Sequence, residues 1–525
     1  MKKRLSLFLL ILICGIFLIS CESTTNSEIL NTNLGTSIDV DNIDKNENIH
    51  IRDKNLIYSN QNNTEIVTMY LTVSTGNKAE NTDHTWEEVN TYSAYYYDDL
   101  GIDRYKVAGL LQVGDENGLI EGEFGYGQVA PNCTVQIRGQ TSSKNAQKNY
   151  KISIKDNKGD WRGQRTIALN KHQTEGLRYR NKLAYDLLSE IDQLMSLRTT
   201  FVHLYVKDTT SGTNAQFVDY GIYTQVEQLN KTALETHGLD KRGHLYKINF
   251  CEFYRYEDYI KLKDDPEYDL KKFEQILEVK GNDDHSKLIS LLEKINDYSI
   301  PIEDIISEHF DIENLTYWMA FNILVGNIDT QSRNFYIYSP LNSERWYLLH
   351  WDNDAMLKRE EYKILNRSES GAWESGISNY WGNILFKRCL KSEMFLEKLE
   401  DAILDLYDYL PERIAYYSDL YSTLLKPLVY SEVDKINVPI TQSQYDIVKD
   451  AISEEVEINY NLYKESFEKP LPFYIGVPTE ENNCYRLEWD ASFDFDNENI
   501  TYTFELSTDY LFTNVIAKQE DITVP

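Results

Sequence analysis

The stretch Gly326-Asn327-Ile328-Asp329-Thr330-Gln331-Ser332-Arg333-Asn334 closes a helical run and enters a strand. Two alternating segments follow, Asn334–Tyr338 and Trp346–His350, and then Trp351-Asp352-Asn353-Asp354. The alternation predicts a hairpin with Asp352 just past its end. Phosphoryl transfer needs an Asp that orients the attacking hydroxyl, together with an Asn and a second Asp that hold a divalent cation against the phosphates. The D-x-x-x-x-N step from Asp329 to Asn334, a hairpin and then Asp352 reproduce that order. A turn aspartate and a helix-capping aspartate would account for the same residues without chemistry.

Upstream of this stretch the chain reads as strands. They are predicted at 64–73, 133–138, 150–154, 200–206 and 221–226, with a helix from Arg180 to Met195 carrying Leu183, Leu187 and Ile191 four apart. Helical periodicity dominates downstream, at 286–297, 312–325, 384–408, 411–424 and 441–466. The expected class is α+β, with a strand-rich lobe before a helix-rich one. From about 470 the pattern changes again. Tyr485–Trp489 and Ile500–Leu506 alternate around an Asp/Asn-rich turn, like the start of an incomplete β-sandwich.

Composition sets outer limits. The chain has 525 residues, 84 Asp plus Glu against 53 Lys plus Arg, and a net charge of −31. That balance excludes sequence-independent nucleic-acid binding, which needs a basic face. Residues 1–20 have the basic n-region and apolar run of a secretion signal. Leu18-Ile19-Ser20-Cys21 resembles a bacterial lipobox, so Cys21 is expected to carry lipid and anchor the chain outside the cytoplasm. Losing Lys2, Lys3 and Arg4 moves the charge to −34. Residues 21–60 read as a flexible tether. Cys133, Cys251, Cys389 and Cys484 are too scattered for a zinc site and are expected to be mostly plain thiols.

Several ordered blocks carry a resemblance to the CotH family, the spore-coat kinase family with an atypical protein-kinase-like fold. They are Val135–Ser143, Gln147–Lys151, Leu169–His172, Arg180–Ala184, Tyr223–Gln228, Leu245–Lys247, Gly326–Asn334 and Trp346–Asp354. The domain is placed at 61–468, with a partial fibronectin type III-like segment at 469–525. The lipid-anchored form with such a tail also resembles a subgroup of the family. The resemblance implies ATP and Mg²⁺ as cofactors and a secreted or surface protein as substrate. It makes Asp329 the catalytic-loop aspartate, Asn334 and Asp352 the metal ligands, and Asp354 a support for the metal from one shell further out. Trp346 would stack on adenine with Tyr246 as the opposing plate, and Arg138 would meet phosphate. Of Lys148 and Lys151, which face opposite ways if both lie on one strand, Lys148 is preferred as the phosphate lysine. It shares the apolar face, where an inward ammonium would need an anionic partner.

The chain departs from ordinary protein kinases in having Asn327-Ile328-Asp329 for H-R-D and Trp351-Asp352-Asn353 for D-F-G. Gly122, Gly125 and Gly127 make a glycine-rich turn in another order. Glu227 reads either as the partner of the phosphate lysine or as a hinge anchor. The reading is an extracytoplasmic kinase acting on Ser or Thr; the alternative is an inactive surface scaffold on the same fold.

Overall fold

The computed structural model describes residues 50–523 except 52, 59–62, 213–214, 368–371, 482–483 and 497. The signal segment, Cys21 and nearly all of the tether lie outside the described residues. The first eight strands are Ile66–Ser74 (β1), Val107–Asp115 (β2), Gly118–Leu119 (β3), Cys133–Arg138 (β4), Asn149–Ile154 (β5), Thr166–Asn170 (β6), Thr199–Asp208 (β7) and Val218–Glu227 (β8). They bond in the order β1-β7-β8-β6-β5-β4-β2-β3, and β1 also pairs with β2. Seven strands therefore close into a barrel, with β3 extending β2. Closure leaves those seven strands without a free edge, which an open sheet this size could not achieve.

The period-2 pattern decides what the wall shows. Val135 and Ile137 of β4 and Tyr150, Ile152 and Ile154 of β5 point into the barrel with Met69, Leu71 and Val73 of β1. Each such side chain contributes roughly 1.5–3 kcal/mol by leaving water. The alternate residues, Gln136 and Arg138 on β4 and Asn149 and Lys151 on β5, must then face outward. The register pairs Arg138 with Asn149 and Gln136 with Lys151.

A second sheet holds His244–Ile248 (β9), Leu277–Val279 (β10), Phe335–Ser339 (β11) and Tyr347–His350 (β12), in the order β10-β9-β11-β12. The helices Ile312–Leu324 and Glu393–Val429 share its core through Leu315, Trp318 and Phe321 and through Leu399, Ile403, Leu406 and Ile414.

Several boundaries differ from the periodicity reading. The helix from Arg180 stops at Leu188, after which the backbone folds into turns toward β7. The expected helix at 384–408 starts as a short one, Ile384–Cys389. A break expected at Pro411 is absent, because Glu393–Val429 runs through both Pro411 and Pro427. Its buried residues, Leu406, Leu410, Ile414 and Tyr417, stay in phase across the proline, so packing outweighs the lost backbone bond. The last expected helix is two, Gln442–Ala451 and Glu455–Glu465. Past residue 470 two separate hairpins form, pairing 479–481 with 484–486 and 502–507 with 515–522. The two stretches expected to flank one turn thus belong to different hairpins. Among the described residues no helix is long and apolar enough to cross a membrane. Cys133, Cys251 and Cys389 are buried free thiols and Cys484 is exposed.

Candidate active site

The helix Ile312–Leu324 ends on Gly326, whose φ of +61° turns the chain sharply. A Cβ there would also meet Asn459 Nδ2 at 2.8 Å, so only glycine suits both demands. The following turn, Ile328–Thr330, presents Asp329 and is held by amides from a distant segment. Asn379 Nδ2 donates to the Ile328 carbonyl at 3.1 Å and Asn383 Nδ2 to the Gln331 carbonyl at 2.8 Å. Asp329 accepts from Asn334 Nδ2 at 2.8 Å and pairs with Arg333 Nε at 2.7 Å. Burial raises its carboxyl above the usual range, and the Asp354 charge adds to this against the pull of Arg333. A half-exposed carboxylate held this way can take a hydroxyl proton.

The hairpin register pairs Phe335 with His350, which brings Asn334 and Trp351-Asp352 to one end of the sheet. Asn334 (φ +60°) and Asp352 (φ +57°) are both left-handed. Asn and Asp tolerate that region better than other non-glycine residues, and such strain concentrates at functional sites. The Asp352 carboxylate reaches water, yet the surrounding protein strips enough hydration to push it up to about 6, helped by Asp354. Arg138, His172 and Lys247 act against this. Burial also disfavours the Asp354 charge, but the bond with His172, at 3.3 Å, and neighbouring cations hold it down at about 2. Burial thus disfavours the Asp352 charge, and a bound divalent cation would favour it. Among the described residues no three His, Cys, Asp or Glu side chains cluster tightly enough to hold a metal alone. That donor set fits Mg²⁺, which takes one or two carboxylates and completes its shell with water and phosphate oxygens.

The barrel wall opposite is cationic. Arg138 bonds to Asn170, lies 5.8 Å over the Trp351 ring and feels the Asp352 charge. Lys151 is pushed down by burial and then by Lys280, Lys106 and Arg138, which places it with them. Lys247 pairs in register with Tyr336 and Glu278 on the second sheet, and its charge reaches Asp352. The two walls touch where Gln228 Nε2 donates to Tyr336 Oη at 3.3 Å.

The structure therefore brings Asp329, Asn334, Asp352 and Arg138 to one region. It does not bring Lys148 there. Strand β5 begins at Asn149, and the Lys148 ammonium donates to the Ser143 carbonyl at 2.7 Å. Lys151, rather than the expected Lys148, shares the outward face of the barrel with Arg138. The adenine plates are also corrected. Trp346 is 1% exposed and Tyr246 0%, and their ring centroids lie 6.2 Å apart. Two plates around a base must stand about 7 Å apart, twice the contact distance of stacked carbons. Tyr246 Oη instead bonds His285 Nδ1 at 2.9 Å. Both rings are core, because this face of β9 and its neighbours packs on helices. The Gly122–Gly127 turn bonds to β2 through Gln112 beside Asn132, at the far end of β4 and roughly 20 Å from Arg138.

Glu227 is not a lysine's partner; it ties the end of β8 to its neighbours. It pairs with Arg198 at 2.5 Å and with His237 Nε2 at 3.0 Å, and no lysine bonds to it among the described residues. His203 pairs with Asp219 at 2.7 Å, and His350 is buried. The sequence reading missed His172 and Lys247 as members of the site. Both stand inside blocks that carry the resemblance, which was the available signal.

The sequence model described as CotH kinase protein matches residues 135–462. The chain belongs to the CotH kinase family. The crystal structure of a Helicobacter pylori proinflammatory kinase, CtkA, is similar at 12% identity with a TM-score of 0.25, covering 60% of this chain and 92% of that one. No curated protein matches.

Proposed function

We propose that this chain is a two-lobed, ATP- and Mg²⁺-dependent kinase acting on Ser or Thr of secreted or surface proteins. The observation that carries this is the grouping of Asp329, Asn334 and Asp352 at one hairpin end, facing a cationic wall on a strongly acidic chain. Asp329 would accept the acceptor hydroxyl's proton, its basicity raised by burial. Asn334 and Asp352 would hold Mg²⁺, which neutralises developing charge on the phosphates when bound. Arg138, Lys151 and Lys247 would position the phosphates between the walls. His172 would keep Asp354 ionised beside Asp352. Lipidation at Cys21 would hold the domain at the outer face of a membrane, and the tail would be a partial fibronectin type III-like segment.

In a radiolabel assay with the full chain, Asp329→Ala should lower transfer at least a hundredfold while calorimetry shows Mg-ATP binding unchanged. Equal transfer by the variant would defeat the assignment. Absence of any Mg-ATP binding by the wild type would favour a scaffold instead.

A further inference from the structure

Three buried amides join the two turns that carry the proposed chemistry. Asn322 and Asn327 are each 1% exposed and Asn353 is 0%. Asn322 sits in the last turn of the helix Ile312–Leu324, where its Nδ2 donates to the Trp318 carbonyl at 2.8 Å. Its own carbonyl accepts from Asn327 N at 2.9 Å. The Asn327 Nδ2 group then donates twice, to Asn322 Oδ1 at 3.1 Å and to Asn353 Oδ1 at 3.2 Å. Asn327 stands two residues before Asp329, and Asn353 lies between Asp352 and Asp354. A backbone bond from Leu357 N to the Val325 carbonyl, 2.8 Å, runs alongside this link.

A primary amide meets the geometry at 327 without bringing a charge into the core. One nitrogen must donate to two acceptors on different segments, which no carboxylate or hydroxyl can do. The arrangement is also poor for stability taken alone. Asn327 Oδ1 is buried without a partner among the described residues, and the Asn353 amide meets the buried His350 ring. An unpaired buried amide oxygen lowers stability, and an apolar side chain of similar shape would avoid that loss. Breaking a packing rule beside a proposed site points to function at that place.

We propose that Asn327 and Asn353 are paired positioning residues that set the Asp329 turn against the Asp352 turn. They belong to the triplets Asn327-Ile328-Asp329 and Trp351-Asp352-Asn353, which stand in place of H-R-D and D-F-G. The bridge fixes the left-handed Asp352 backbone relative to the acceptor-side aspartate. Its loss lets the two carboxylates drift independently, and displacements near 1 Å at such sites cost about a hundredfold in rate. The proposal rests on the kinase reading for its catalytic consequence, not for the coupling itself.

A double-mutant cycle on the full chain tests it, with Asn327→Leu, Asn353→Leu and the double variant. Three quantities are read: apo thermal unfolding, Mn²⁺ affinity without nucleotide by electron spin resonance, and phosphate transfer to a mixed Ser/Thr peptide pool. Each single variant should melt lower, Asn327→Leu the more so: it strands both Asn322 Oδ1 and Asn353 Oδ1, whereas Asn353→Leu removes one of two acceptors of Asn327 Nδ2. The double variant should regain only the part of the melting temperature owed to Asn353 Oδ1, because Asn322 Oδ1 stays unpaired, yet bind Mn²⁺ about tenfold more weakly and transfer phosphate about a hundredfold more slowly. Recovery of stability, metal affinity and transfer together would overturn the proposal, as would strictly additive single effects. If the wild type transfers nothing while the Mn²⁺ result holds, the kinase reading fails and the coupling stands. If transfer is present and Mn²⁺ affinity does not move, the coupling alone fails.

Discussion

His237 offers a sharp test of how the structure stores charge. It is fully buried, with Nε2 at 3.0 Å from Glu227 and Nδ1 at 2.6 Å from Asp53. Burial alone would drive its pKa down, but the bonds and charges of Asp53 and Glu227 overcome this and push it up to about 9 from an ordinary 6.5. At about 1.4 kcal/mol per pH unit, the gap is worth on the order of 3 kcal/mol. A raised pKa means that this stability is fully present below 6.5 and is lost as pH rises through about 9. Roughly 2.5 kcal/mol should disappear between pH 7 and pH 10. Glu227, which burial would raise, is instead held at about 2 by His237 and Arg198. Its contribution is present above 4.5 and lost as pH falls through about 2, outside this window.

The perturbation is a pair of urea unfolding series from pH 6 to pH 10, on the wild type and on His237→Gln, followed by tryptophan fluorescence. The wild type should lose stability steeply above pH 7.5, and the variant should start lower and stay flatter. Asp53 lies in the segment that enters the domain, with Lys54 N bonded to the His237 carbonyl at 3.1 Å. Limited proteolysis near residue 58 should therefore accelerate over the same range. Parallel wild-type and variant profiles between pH 7 and pH 10 would refute the buried imidazolium.

Three further outcomes follow from the site and its supports. Lys151→Met should raise the Kd for Mg-ATP about tenfold by calorimetry, while Lys148→Met should leave it within about threefold; the reverse would restore Lys148 as the phosphate lysine. Trp346→Ala should cost about 3–5 kcal/mol of stability, as for other buried aromatics, and Trp346→Phe should leave nucleotide affinity unchanged. A large loss of affinity in the phenylalanine variant would return Trp346 to the binding site. Arg180 is fully buried between Glu361 at 2.6 Å and Glu175 at 3.5 Å. Arg180→Met strands two buried carboxylates and should destabilise by about 3–5 kcal/mol in chemical denaturation; a change below 1 kcal/mol would show that the triad relaxes into water.

What the sequence made legible was local. Alternation located β4, β5, β11 and β12 within a residue or two, since one buried face imposes a period of two on each. The D-x-x-x-x-N step and the hairpin that follows brought Asp329, Asn334 and Asp352 together for the same reason: all three hang on one short contiguous unit. What it hid was set by contacts distant in sequence. Barrel closure depends on β1 pairing with both β2 and β7, and no local pattern encodes that. Lys148 and Lys151 were separable only once the barrel was known, because the apolar face lines its closed interior and Lys148 falls before the strand begins. Trp346 and Tyr246 illustrate the deeper limit. An aromatic on a strand stacks equally well on a base or on a helix, and composition does not distinguish the two. The Asn327–Asn353 bridge belongs to the same class. Neither asparagine is unusual alone, and their meaning arises only where two turns, 26 residues apart, meet at 3.2 Å in the core.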